Sequence, residues 1–157
     1  QYLFWTVGSL DYRRWEHVLM GIGPITLGIG IMLLMARHLN ILALGEAEAK
    51  AVGMPVGRYR LILLLVSAMT TATSVCISGS IGFVGLIIPH MMRMLVGPNH
   101  KYLLPASIVA GGVFLLFCDS LGRVLIEKHE VNVGIMTAFL GTPYFLYLLR
   151  KNSNLDK

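Results

Sequence analysis

The sequence predicts an all-α, polytopic membrane protein, a bundle of five transmembrane helices, and three observations carry the prediction. Of 157 residues, 55% are hydrophobic and 13% charged, whereas a soluble domain carries about 25% charge to wet its surface. The mean hydropathy of +0.71 says the same. Apolar runs of about 20 residues, enough to cross a hydrocarbon core about 30 Å thick, recur along the chain. Finally, no Asp, Glu, Lys or Arg occurs from Leu61 to Met92. As one helix that stretch would measure about 48 Å at 1.5 Å per residue, too long for one crossing, so it must turn back.

The elements follow in order. A first span covers about 17–36 and is ended by Arg37-His38. A connector at about 41–57 follows, then a second span at about 61–78. The cluster Ser78-Gly79-Ser80-Ile81-Gly82 supplies the reversal into a third span at about 82–96. This one is short and contains Pro89, which predicts a kinked or incomplete crossing. A fourth span, about 102–122, carries its only acid, Asp119, near one end; a fifth, about 133–149, is closed by Arg150-Lys151. Glycines within the spans, such as Gly21, Gly28 and Gly111, read as sites where helices pack closely.

Charge placement orients the bundle. Segments 37–60, 93–101 and 150–157 hold Arg37, Lys50, Arg58, Arg60, Arg93, Lys101, Arg150, Lys151 and Lys157; the other side holds Arg13, Arg14, Arg123 and Lys128. The richer side is assigned to the cytoplasm. The same distribution, cations punctuating apolar runs rather than lining one helix face, excludes a nucleic-acid surface despite the net charge of +5.

Chemical sites are sparse. Cys76 and Cys118 lie in apolar stretches without a C-x-x-C partner and read as buried small hydrophobes, not as a disulfide or metal pair. His90 has Arg93 and Met94 at i+3 and i+4, so it reads as a hydrogen-bonding partner for backbone freed by Pro89, not as a metal ligand. The nine methionines are scattered as packing filler. No G-x-x-x-x-G-K-[ST] phosphate loop, H-E-x-x-H pair or Ser/His/Asp arrangement is legible. The expectation is therefore no catalytic residue, no metal and no cofactor. Asp119 and Arg123, four apart near a helix end, are expected to pair with each other. The opening Gln1-Tyr2-Leu3-Phe4-Trp5, without an initiator Met or a secretory leader, reads as the interior of a longer protein.

The connector is the most unusual segment. Leu44-Gly45-Glu46-Ala47-Glu48-Ala49-Lys50-Ala51 is rich in helix formers, with acids early, a Lys late and a Glu46–Lys50 spacing suited to pairing. Gly53 followed by Pro55 is a stop. Two readings stand side by side, a solvated linker and a docking helix whose small residues let it enter a partner's groove.

Here the chain resembles a known family. Leu44-Gly45-Glu46-x-x-Ala49-x-x-x-Gly53 is similar to the coupling loop of the FecCD permeases, subunits of ABC importers for ferric siderophores, haem and cobalamin. The similarity continues through Gly79-Ser80-Ile81-Gly82-Phe83-Val84-Gly85-Leu86-Ile87-Ile88-Pro89-His90, Arg93, Asn99-His100-Lys101 and Leu103-Leu104-Pro105. It resumes in Asp119-x-x-x-Arg123 and in Val133-Gly134-Ile135-Met136-Thr137-Ala138-x-x-Gly141-x-Pro143-x-Phe145, and Trp5 to Trp15 resembles the external loop after the family's fifth span. One departure is Glu130-Val131-Asn132, where the family usually has Glu-Leu-Pro.

The resemblance implies a ten-span permease fold of which this chain is the C-terminal half. It implies a homodimer or a related pair of permease subunits in a bacterial or archaeal cytoplasmic (inner) membrane. The implied partners are cytoplasmic ABC ATPase subunits, a periplasmic or lipid-anchored substrate-binding protein, a second permease subunit and the lipid bilayer, with no nucleic acid. Gly45, Glu46, Ala49, Lys50 and Gly53 are implied as ATPase-coupling residues and Arg123 as a docking residue for the binding protein. The implied role is transport without enzymatic activity, ATP being hydrolysed in separate subunits. Three alternatives stay open: a zinc/manganese-type ABC permease, a non-transporting membrane sensor or scaffold, and a truncated permease. The implied substrates are an iron chelate (siderophore or haem) or cobalamin, and this half does not distinguish among them.

Overall fold

The computed structural model describes residues 8–9, 14–125 and 132–153. Among them are seven helices and no strand: α1 Trp15–Leu34, α2 Ala36–Leu42, α3 Glu46–Ala51, α4 Val56–Ser78, α5 Val84–Val96, α6 His100–Leu125 and α7 Val133–Ser153. Residues 1–7, 10–13, 126–131 and 154–157 lie outside the described set. That removes Trp5, Arg13, Lys128, Glu130, Val131 and Lys157 from any structural account.

Three helices, α1, α4 and α6, are long and apolar enough to cross a membrane. At 1.5 Å per residue their 20, 23 and 26 residues give about 30, 35 and 39 Å, against a core about 30 Å thick. The surfaces fit that solvent. None of the apolar window of α4 is buried within the chain, and Leu61, Leu64, Leu65 and Met69 lie open on it. A helix apolar on every side needs lipid or other protein around it. α5 is shorter, with 13 residues and Pro89 inside, about 20 Å. The described apolar stretch of α7, Val133–Leu146, is also shorter than the three long helices.

Two departures concern boundaries. Arg37-His38 does not end the first helical run. The chain breaks only at Met35 (φ −87°, ψ 5°) and continues as α2 to Leu42. A pair of polar residues ends the apolar stretch but leaves the backbone free to stay helical outside it. The reversal lies at Gly79 (φ 71°), and α5 starts only after Phe83, a non-glycine residue at φ 66°. Phe83 is held there by α7: a Cβ on Gly141 would lie 2.6 Å from the Phe83 Cβ and 2.9 Å from Ile87 Cδ1.

The helices on either side of that turn do not pack as a hairpin. α4 packs mainly on α1, whereas α5 packs on α6 and α7. The α1–α4 contact is made by Gly21, which faces Ile77, and Gly28, which faces Thr70. At the far end, Ser9 N–H donates to Ser78 O (2.9 Å) and Gly134 N–H to Gly8 O (3.2 Å), so the short 8–9 segment joins the end of α4 to the start of α7. At the opposite end α2 packs on α6. The molecule is thus two helix groups, α1–α4 and α5–α6–α7, joined at both ends.

Candidate functional site

The connector is built from the inside out. Gly45, at φ 131°, caps α3 in a conformation that suits a residue without a side chain. The six-residue helix Glu46–Ala51 is too short to hold itself together, so its ends and one buried residue do the work. At the C-terminus Gly53 N–H donates to Lys50 O (2.9 Å) and Met54 N–H to Ala49 O (3.0 Å). With Gly53 at φ 81°, this is the paired 5→2 and 6→1 closure of a Schellman motif. Its usual apolar contact is present too: Ala49, fully buried, clusters with Met54 and Val56, flanked by Ile41, Leu42 and Tyr59. The Tyr59 ring stacks on His38 of α2, centroids 4.2 Å apart. Hence α3 is clamped between the end of α2 and the start of α4.

The residues singled out from the sequence fall into different places. Glu46 is exposed and bonded to Arg60 Nη1 at 2.6 Å, in place of the expected Lys50. Lys50 is exposed. Ala49 points inward, so any effect it has on a partner passes through the packing of the loop. Gly45 and Gly53 set where α3 begins and ends. Outward, at positions 200° from Ala49 on the helical wheel, stand Ala47 and Ala51, both exposed, with Leu44 and Val52 open beside them. The presented surface is a small-residue face flanked by two aliphatic side chains.

Arg123 lies on α6 at the other end of the molecule. Its Nε donates to Asp119 Oδ2 at 2.9 Å, and the side chain is 58% exposed. The expected i,i+4 pair is made. His90 is exposed, and among the described residues no group of three or more His, Cys, Asp or Glu is placed to hold a metal.

One polar cluster carries no role in the sequence reading. Asn40, on α2, donates from Nδ2 to Asn99 Oδ1 (2.8 Å), and its own Oδ1 accepts from the His100 backbone N–H (2.8 Å). His100 Nδ1 lies 2.7 Å from the same oxygen, which fixes the ring's hydrogen on Nδ1. Asn99 Oδ1 also accepts from Lys101 N–H (3.0 Å), the N-cap bond of α6. Asn after Pro98 was the available signal, marking a helix start; nothing local points to Asn40, its partner across the fold.

The similarities of the chain agree with this layout. The model of the FecCD transport family matches residues 1–151. The cobalamin import system permease protein BtuC of Halobacterium salinarum is 43% identical over 94% of this chain and 40% of its own length. The hemin transport system permease protein HmuU of Yersinia pestis is 42% identical over 95% of this chain and 45% of its own. A solved structure, described as an inward-facing conformation of a metal-chelate type ABC transporter, superposes with a TM-score of 0.89 at 42% identity, over 95% of this chain and 48% of that one. The chain spans somewhat under half the length of the proteins it matches. It is a helical membrane protein and belongs to the FecCD transport family.

Proposed function

We propose that this chain forms the C-terminal five spans of a ten-span permease subunit in a binding-protein-dependent ABC importer. The cargo is an iron chelate, a siderophore complex or haem, or a cobalamin. Two permease subunits enclose the path, cytoplasmic ATPases dock beneath, and a substrate-binding protein delivers from the other face. The subunit moves its cargo without catalysis of its own. Supporting the cargo class are the names of relatives of near-equal identity, one for cobalamin and one for hemin.

The observation that carries the reading is the connector: a helix pinned from within by Ala49 and presenting an exposed face of small side chains. A solvated linker needs neither the buried pin nor the double closure at Gly53. In this reading Ala47 and Ala51 let the ATPase approach closely. Gly45, Glu46, Ala49 and Gly53 hold the helix in place, and Lys50 is a polar contact at its edge. Arg123, oriented by Asp119, meets an acid of the binding protein.

The test uses the full-length subunit assembled with its ATPases. Inserting bulk into a close-packed contact costs about 1–3 kcal/mol, so Ala47→Trp and Ala51→Trp should each weaken co-purification with the ATPase by fivefold or more, roughly the lower bound of that cost. Membrane insertion should be unchanged. Wild-type co-purification in both variants would return the segment to the status of a linker.

A further inference from the structure

α3 packs on α2 and α4. α4 continues the contact to α1, and among the described residues neither α3 nor α4 packs extensively on α5, α6 or α7. Between α4 and α6 there is instead a cavity of about 380 Å³, with Arg60, Leu64 and Ser67 on one wall and His100 and Leu104 on the other. At the connector's end of the molecule the helix group α5–α7 is therefore reached from α3 through α2, with a lighter touch of α1 on α6. At the opposite end it is joined through the turn at 79–83 and the 8–9 segment. At the α2–α6 contact stands the Asn40–Asn99–His100 cluster.

We propose that Asn40, Asn99 and His100 form the mechanical link that carries a displacement of α3 into α6 and its neighbours. The inference rests on the reading of α3 as the ATPase-docking helix. Two features suit the cluster to this task. Asn40 lies two residues before the end of α2, next to Ile41 and Leu42, which pack against the Ala49 pin. Its carboxamide is also engaged on both sides: Oδ1 receives two N–H groups of His100, and Nδ2 donates to the oxygen that caps α6. Hydrogen bonds to backbone at a helix start seize the helix itself, so a shift of α2 pulls on the α6 axis instead of on a rotatable side chain. Asn40, Asn99 and His100 are positioning residues; none faces cargo in this account.

The experiment reads motion and needs no cargo. In the full-length subunit with its ATPases, spin labels are placed at Leu65→Cys on α4 and Val109→Cys on α6, both exposed, in a Cys76→Ser background. A second pair, Glu48→Cys with Leu65→Cys, reports on α3 from an exposed position outside the Ala47/Ala51 face. Trapping the ATPases with ATP and vanadate should change both distances in the otherwise unaltered subunit. With Asn40→Leu, which keeps the volume and removes the hydrogen bonds, the α3 distance should still change and the α4–α6 change should be lost. Asn40→Gln, which keeps a carboxamide able both to accept from His100 and to donate to Asn99, should restore it at least in part. An α4–α6 change of full size in Asn40→Leu, equal losses in Asn40→Leu and Asn40→Gln, or failure of Asn40→Leu to assemble would each overturn the inference. If trapping leaves α3 itself unmoved in the unaltered subunit, the docking reading fails instead.

Discussion

Gly53 shows how much one position decides in the connector. Its φ of 81° lies where an L side chain costs about 1–2 kcal/mol, and the two closing hydrogen bonds depend on it. Gly53→Ala should therefore raise hydrogen exchange at the Met54 amide by about 5- to 30-fold, with exchange in α4 and α6 unaffected. Unchanged exchange at Met54 would mean that the closure does not hold α3. This stop was legible, because Gly followed by Pro two residues on has a local meaning. The partner of Glu46 was not. The i,i+4 rule offered Lys50, but the Schellman turn folds the chain back and brings Arg60 to 2.6 Å. Asn40 was less legible still, since its partners lie about 60 residues away and no spacing rule reaches that far.

Helices tell a similar story one level up. The charge-free length from Leu61 to Met92 demanded a turn, and Gly79 supplies it. It did not say that α4 and α5 would part to join different neighbours, because a small residue announces close packing without naming the surface it meets. The α1–α4 pairing makes that surface explicit. A Cβ on Gly28 would collide with Thr70 Oγ1, and that hydroxyl is held by its bond to Val66 O at 2.8 Å. Gly28→Ala should lower stability by about 1–3 kcal/mol through overpacking, read as a lower Tm of the detergent-purified full-length subunit. Thr70→Ala removes the obstructing atoms, so the double variant should recover most of the loss. A non-recovering double variant would show that α1 and α4 do not meet along this line.

For the molecule as a whole, the two ends differ in charge. Arg37, Lys50, Arg58, Arg60, Arg93 and Lys101 belong to the end joined by the α2–α6 contact and the connector, while Arg14 and Arg123 belong to the end where Gly79 turns the chain. The proposed orientation, with the cation-rich end retained on the cytoplasmic side, puts the connector inside the cell. It also places Glu48 and Ser80, both exposed, on opposite faces, since α4 separates them by its 23 residues, about 35 Å. In a Cys76→Ser full-length subunit, Glu48→Cys should react with a membrane-impermeant maleimide in inside-out vesicles and stay unlabelled in right-side-out ones. Ser80→Cys should show the reverse. The two sites separate two ideas. An exchange of both patterns would invert the orientation and take the proposed ATPase-docking face out of the cytoplasm, whereas labelling of both from one side would deny that α4 crosses at all.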